Sequence, residues 1–160
     1  MLLMMKAPAK GSENFDDVPL SALLRAAQRT YTEAVDRAQS KIGCDDLPQS
    51  GAYILSAMHW TGASLDAVLR WMGVTKQAVS QAIDTLVVRG YLERSEDPED
   101  RRRIKLVLTA RGRAAGAAAR SAIGLVDRRL GAKVGAQRIA ATRATLAALI
   151  LLRQQSEKPR

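Results

Sequence analysis

Polar side chains recur at helical spacing in residues 74–90, where one face holds Lys76, Gln77, Ser80 and Gln81. At about 100° per residue, the apolar side chains of this segment fall on a different face. Glutamine amides carry paired donors and acceptors, and a face of such side chains fits a major groove and can meet base edges. The pattern therefore predicts contact with double-stranded DNA. The alternative is an ordinary solvated helix face.

A second candidate group is the arginine run at Arg101, Arg102 and Arg103, which closes the polar stretch 95–103 between two apolar segments. Guanidinium groups contact phosphates through two parallel hydrogen bonds and suit the negative potential of a narrow minor groove. Asp100, directly before the run, is placed to hydrogen-bond an arginine or the backbone and so to anchor the loop. The alternatives are a solubilising loop and, for Asp100, a plain acidic loop residue.

These side chains must be positioned by a helix followed by a β-hairpin. Thr75 is a good N-cap, and Gly90 stands just past the last periodic residue, where a left-handed C-terminal cap is needed. Residues 91–94 and 104–108 are predicted to be two strands on either side of the polar loop. The buried face of the helix is expected to hold Val79, Ala82, Ile83 and Leu86.

The rest of the chain predicts a mostly helical, α+β fold with about six helices in all. Residues 131–135 are predicted to form a turn between the last two helices, and the spacing from Ser64 to Gly90 is typical of a helix-turn-helix. Apolar periodicity bounded by glycines or capping hydroxyls predicts the other helices at residues 19–42, 51–60, 65–72, 110–130 and 136–154.

Composition narrows the function further. The chain has 160 residues and a net charge of +9, and residues 110–160 hold 11 basic and 2 acidic side chains. A basic protein is attracted to nucleic acid through counterion release. One cysteine and one histidine leave no disulfide framework and no Cys/His zinc cluster, so we expect no metal and no cofactor. No apolar run is long enough to cross a bilayer, and a reduced cytoplasm fits the cysteine usage.

The sequence DRRRIKLVLT at residues 100–109 resembles the wing signature of the MarR family of winged helix-turn-helix regulators. In that signature an aspartate, an arginine two residues on and a Leu-Thr pair recur, and residues 74–91 are similar to the family's recognition helix. The resemblance implies that helix 75–89 enters the major groove and that wing 95–103 enters the minor groove through Arg102. The predicted DNA-binding residues are Thr75, Lys76, Gln77, Ser80, Gln81, Arg101, Arg102 and Arg103.

Long apolar stripes on the first helix and on the last two predict a homodimer. They have no partner within a small winged domain, and an unburied stripe of that length is a liability. We therefore expect residues 18–46 and 110–156 to be dimerisation helices that intertwine with a second copy, as the resemblance also implies. Residues 47–109 are the predicted DNA-binding domain, and residues 1–17 are expected to be a disordered tail.

The family resemblance also suggests a small aromatic or phenolic ligand held near the dimerisation helices. Tyr31, Met58 and His59 are the candidate lining residues, with a partly buried structural histidine as the alternative for His59. Cys44 is the one thiol that could sense oxidants, since some relatives do so. Its neighbours Asp45 and Asp46 disfavour the thiolate, and an incidental thiol is the alternative.

Together these features predict a dimeric transcriptional regulator, a repressor that binds a palindromic operator, rather than an enzyme. The sequence contains no phosphate loop, nucleophile elbow or metal cluster. One alternative is a redox or small-molecule sensor with DNA binding as its output. Another is a nucleoid-type architectural protein, which binds any duplex with similar affinity, whereas a regulator favours one site.

Overall fold

The protein is mostly helical, with one small sheet. The structure, a computed structural model, describes residues 14–61, 76–96 and 104–156. Within these ranges it contains α1 (Leu20–Ser40), α2 (Gln49–Thr61), α3 (Lys76–Val88), β1 (Leu92–Glu96), β2 (Ile104–Leu108), α4 (Ala110–Val134) and α5 (Ala136–Ser156). One of the six predicted helices, at residues 65–72, lies outside the described residues, and so does most of the predicted N-terminal tail.

The helices α1 and α2 pack against α4. Small residues allow this close approach, since a Cβ added at Gly116 would stand 2.7 Å from the carbonyl oxygen of Leu55. The Gln39 side-chain amide of α1 donates to the Ala115 carbonyl of α4 at 2.9 Å. One buried apolar cluster draws a residue from each of the three helices: Val35, Ala52 and Ala119.

A second buried cluster supports α3 and the hairpin. Leu86 of α3 and Leu92 of β1 are almost fully buried, because α3 and β1 lie on α2 and on the start of α4. This burial confirms the predicted inward face of α3 at Leu86, with Ala82 and Ile83 half-buried, while the side chain of Val79 is not described. The cluster comprises Cys44, Ile54, Leu55, Leu86, Tyr91, Leu92 and Ala115.

The hairpin pairs β1 with β2 in antiparallel register, from Leu92 opposite Leu108 to Glu96 opposite Ile104. The predicted second strand at 104–108 is confirmed, but the predicted first strand at 91–94 was wrong by one residue at its start and by two at its end. Backbone pairing continues through Ser95 and Glu96 although both are polar, because an exposed two-stranded sheet needs no apolar side chains there. Residues 97–103, between the two strands, lie outside the described residues.

Glycines with positive φ mark where the helices end. Gly90 has φ +70° and stands two residues past the end of α3 at Val88, which confirms the predicted C-terminal cap. The predicted turn at 131–135 was wrong, because α4 continues through Gly131 to Val134. The helix ends only at Gly135, which has φ +86°. In addition, α2 begins at Gln49 rather than Gly51, since the Pro48 carbonyl already accepts from the Ala52 amide at 3.1 Å.

Candidate nucleic-acid interface

The outer face of α3 is open. Gln77, Ser80 and Gln81 are all exposed, so the structure places three of the predicted contact residues together on one surface. The backbone of Lys76 begins the helix beside them, although its side chain is not described. Thr75 lies outside the described residues. This face presents amide and hydroxyl groups, which is the chemistry that base edges require.

The hairpin is fixed to α3 by an ion pair. Arg94 of β1 donates from Nη2 to Oδ1 of Asp84 at 2.6 Å, and both side chains are about half exposed. The ion pair therefore helps to hold the hairpin in a fixed position relative to α3. The residues predicted for its tip, Asp100 and Arg101 to Arg103, lie outside the described residues, so their roles remain predictions.

The base of the hairpin is locked to α4 by Thr109. Its hydroxyl caps α4 by accepting from the Gly112 amide at 3.0 Å, and it donates to the Gly90 carbonyl at 2.6 Å. Its own amide donates to the Tyr91 carbonyl at 3.2 Å. The threonine of the Leu-Thr pair therefore joins the end of α3 to the beginning of α4, a role that the sequence pattern alone did not reveal.

Beside Thr109 lies a polar junction that sequence reasoning missed. The Tyr91 hydroxyl donates to Oδ1 of Asp46 at 2.6 Å, and Arg111 donates from Nη2 to the same oxygen at 2.7 Å. The Arg111 guanidinium also lies 4.3 Å from the centroid of the Tyr91 ring. These residues are 45 and 65 positions apart, so no local spacing could have indicated the cluster.

The junction shifts the pKa values of its members. The hydrogen bond from Tyr91, followed by the charge of Arg111, holds the pKa of Asp46 below its ordinary value. Burial raises the pKa of Tyr91, and the bond to Asp46 raises it further. Both groups are therefore held in the protonation states that keep the junction intact: an ionised carboxylate and a neutral phenol.

A groove of about 820 Å³ runs between α1 and α4. Tyr31 lies along it and donates to Oδ1 of Asp127 at 2.6 Å. Burial, together with that hydrogen bond, raises the pKa of Tyr31 to about 12. The floor of the groove is aliphatic, and its cationic side chains are Arg37, Lys41, Arg129 and Lys133.

The other residues predicted for a ligand pocket lie away from this groove. Met58 packs on the core cluster beneath α3. His59 is exposed, so the alternative of a partly buried histidine was wrong. Cys44 is only 3% exposed, with its Sγ 3.9 Å from the Ile42 carbonyl oxygen, and its redox role remains a prediction.

Several aliphatic side chains of α5 are exposed in the single chain. Leu149, Ile150, Leu151 and Leu152 are 41–60% exposed, although they are consecutive and so point in different directions around the helix. A helix that is apolar on all sides is normally buried. None of the described helices is both long and apolar enough to cross a membrane.

The chain is similar to known proteins in sequence and in structure. Residues 46–103 match a family model described as MarR family. No curated protein matches the chain. A probable transcriptional regulator from Pseudomonas aeruginosa is similar in structure, with 26% identity, a TM-score of 0.61 and coverage of 85% of this chain and 99% of that one.

Two other similar structures were solved with a bound partner. MepR from S. aureus, in complex with DNA, is 18% identical with a TM-score of 0.66, over 84% of this chain and 98% of that one. A MarR family protein from Mycobacterium tuberculosis, in complex with salicylic acid, is 26% identical with a TM-score of 0.53, over 84% of this chain and 98% of that one.

Proposed function

We propose that this chain, whose residues 46–103 match the MarR family model, is a dimeric repressor of the winged helix-turn-helix type that binds a palindromic operator. The observation that carries the proposal is the open polar face of α3, with Gln77, Ser80 and Gln81 exposed on a helix whose opposite face is buried. A helix supported in this way can enter a major groove without unfolding any part of the core.

In this proposal the two DNA contacts have separate roles. Gln77 and Gln81 are four residues apart on α3, so their amides can reach neighbouring base pairs, and glutamine pairs with adenine through two hydrogen bonds. Thr75, Lys76 and Ser80 complete that face. The wing, residues 95–103, reaches the minor groove through Arg102, while Arg101 and Arg103 bind phosphates. MepR from S. aureus, a protein of similar structure, was solved in complex with DNA, which supports DNA binding by this chain.

The dimer is proposed from the surfaces that the single chain leaves open. The end of α5 needs enclosure on all sides, and the groove between α1 and α4 offers an aliphatic floor of matching character. A second copy supplies both surfaces at once, because a two-fold axis pairs each groove with the other chain's helix. Residues 18–46 and 110–156 would then form the dimerisation region and residues 47–109 the DNA-binding domain.

A small aromatic or phenolic ligand is a further part of the proposal. The relative in complex with salicylic acid supports it. Tyr31, Met58 and His59 remain the candidate lining residues, and exposed His59 is the one most open to a ligand in the single chain. Binding that favours a DNA-incompetent arrangement of the dimer would release the operator.

The decisive experiment is selection of bound duplexes from a random pool by the full chain. We expect a palindromic motif whose half-sites are about 10 base pairs apart from centre to centre. Light scattering on the same sample should give twice the chain mass of 17.3 kDa. Enrichment of no motif would favour a nucleoid-type architectural protein, and a well-folded monomer would contradict the dimer.

A further inference from the structure

Arg111 stands where a cation should be unfavourable. It belongs to the first turn of α4, which contains no acidic residue. The amino end of a helix carries partial positive charge, so a guanidinium there is repelled unless other groups compensate for it. A local rule broken in this way often marks a residue with a task beyond its own helix.

The compensation comes from two other parts of the chain. Arg111 donates from Nη1 to the Arg89 carbonyl at 2.7 Å, which lies at the carboxyl end of α3 where the helix dipole is negative. It donates from Nη2 to Asp46, in the loop between α1 and α2, at 2.7 Å. Its planar face lies over the Tyr91 ring at 4.3 Å. One side chain therefore connects α3, α4 and the loop after α1.

These contacts constrain the orientation of α3. The Thr109 hydroxyl already donates to the Gly90 carbonyl. Thr109 directly precedes α4, however, and its described hydrogen bonds do not extend to the loop after α1. Arg111 and Asp46 add the link to that loop, so the end of α3 is held against the loop as well as against α4. Because guanidinium is planar with several donors in a fixed fork, it sets an orientation that a flexible amine does not.

We propose that Arg111, anchored by Asp46, is a positioning residue that sets the angle of α3 relative to the helices of the dimer and thereby the half-site spacing that the protein accepts. The proposal rests on the proposed function, since two recognition helices must enter successive major grooves about 34 Å apart. A small change in the angle of each α3 alters the separation of the two helices, and hence which spacing fits.

The test compares two duplexes that carry the half-sites found by selection. One has the selected spacing, and in the other the spacing is changed by about two base pairs, which rotates one half-site relative to the other by roughly 70°. The measured quantity is the ratio of the two dissociation constants. The variants are Arg111→Gln and Asp46→Asn, with Arg113→Gln as the matched control.

The variants separate positioning from charge. Arg111→Gln removes a positive charge and Asp46→Asn removes a negative one, so a purely electrostatic effect would weaken overall binding in the first and strengthen it in the second. Arg113 is an exposed arginine in the same turn that donates only to the nearby Leu108 carbonyl in the contacts described, at 2.6 Å. Arg113→Gln therefore reproduces the charge loss without touching α3 or the loop.

We expect Arg111→Gln and Asp46→Asn each to reduce the spacing ratio by about tenfold, the loss of one charge-assisted hydrogen bond, while Arg113→Gln keeps it. Amide exchange at Gly90 and Tyr91 should also become faster in both variants, a readout that needs no DNA. If Arg111→Gln does not fold, Asp46→Asn decides the result, since its side chain is 44% exposed.

Three outcomes would overturn the proposal. In the first, both variants retain the spacing ratio of the unaltered chain. In the second, Arg113→Gln reduces the spacing ratio as much as Arg111→Gln does. In the third, the unaltered chain prefers one sequence but accepts both spacings equally, so the proposed function stands and the positioning role does not. An unaltered chain without any sequence preference would instead remove the proposed function as well.

Discussion

Asp84 of α3 and Arg94 of β1 form an ion pair of 2.6 Å that joins the proposed recognition helix to the hairpin. The side chains are 57% and 49% exposed, so solvent weakens the attraction. We expect a double-mutant cycle of Asp84→Asn and Arg94→Gln to give a coupling of about 0.2–1 kcal/mol in the free energy of unfolding. The coupling should decrease as salt is added.

The chain offers a matched control for that measurement. Glu33 and Arg37 are also an exposed pair, but they lie on one helix and their charged atoms are 3.9 Å apart. A cycle of Glu33→Gln and Arg37→Gln should give a smaller coupling than the pair between α3 and β1. Equal values would show that the link between helix and hairpin contributes no more than a surface ion pair within one helix.

Gly112 is expected to be intolerant of substitution. It faces the Tyr91 carbonyl so closely that an added Cβ would overlap the oxygen, and that oxygen belongs to the backbone and cannot rotate away. Gly112→Ala must therefore separate α4 from the end of α3, at a cost of about 1–3 kcal/mol or more. Thermal unfolding followed by circular dichroism measures the loss.

The control for Gly112 lies on the same helix. A Cβ at Gly131 would meet no atom within 4 Å, and the residue lies in the last turn of α4. Gly131→Ala should stabilise the protein by about 0.5–1 kcal/mol, because alanine loses less backbone entropy in a helix. A Gly112→Ala variant as stable as the unaltered chain would mean that the contact with Tyr91 can relax.

Local patterns predicted the elements well, because their causes are local. The apolar stripe that ends in Leu86 and the left-handed cap at Gly90 both follow from spacing, and both are confirmed. The error at Gly131 has a physical reason as well. Glycine permits a turn without requiring one, so only the backbone conformation shows that the chain turns at Gly135 instead.

The junction was beyond such reasoning because its members meet only after folding. Asp46, Tyr91 and Arg111 come from a loop, the residue before β1 and the first turn of α4. Nothing in their spacing distinguishes them from other polar residues near element ends. The one available signal was a cation in the first turn of a helix without an acidic residue, which indicates a partner but does not identify it.

Acid should weaken this junction selectively. The pKa of Asp46 lies below the ordinary value of 3.8, because Tyr91 and Arg111 favour the carboxylate. Its contribution to stability is therefore complete above that pH and is lost as the pH falls through the lower value of the folded state. Asp46→Asn should be less stable than the unaltered chain at neutral pH, and this difference should disappear in stronger acid.

Denaturant unfolding at a series of pH values from about 7 to about 2 measures that difference. Asp45→Asn is the control, since Asp45 is the exposed neighbour with the same charge but lies outside the contacts of Tyr91 and Arg111. It should change the pH dependence less than Asp46→Asn does. Parallel curves for Asp46→Asn and the unaltered chain would mean that the carboxylate is not held by the junction.

Gln81 is predicted to read a base rather than a phosphate. Its side chain is exposed on α3, one turn after Gln77, and its backbone carbonyl already accepts from the Thr85 hydroxyl at 2.8 Å. An amide that pairs with adenine loses two hydrogen bonds on truncation, so Gln81→Ala should cost about 1–3 kcal/mol at one operator position and little elsewhere. Binding to a set of single-base operator variants measures the effect position by position.

The control is Gln137→Ala, which changes an exposed glutamine on α5 and should leave every affinity unchanged. A uniform loss across all operators in Gln81→Ala would assign Gln81 to the DNA backbone, because a phosphate contact carries no preference for one base.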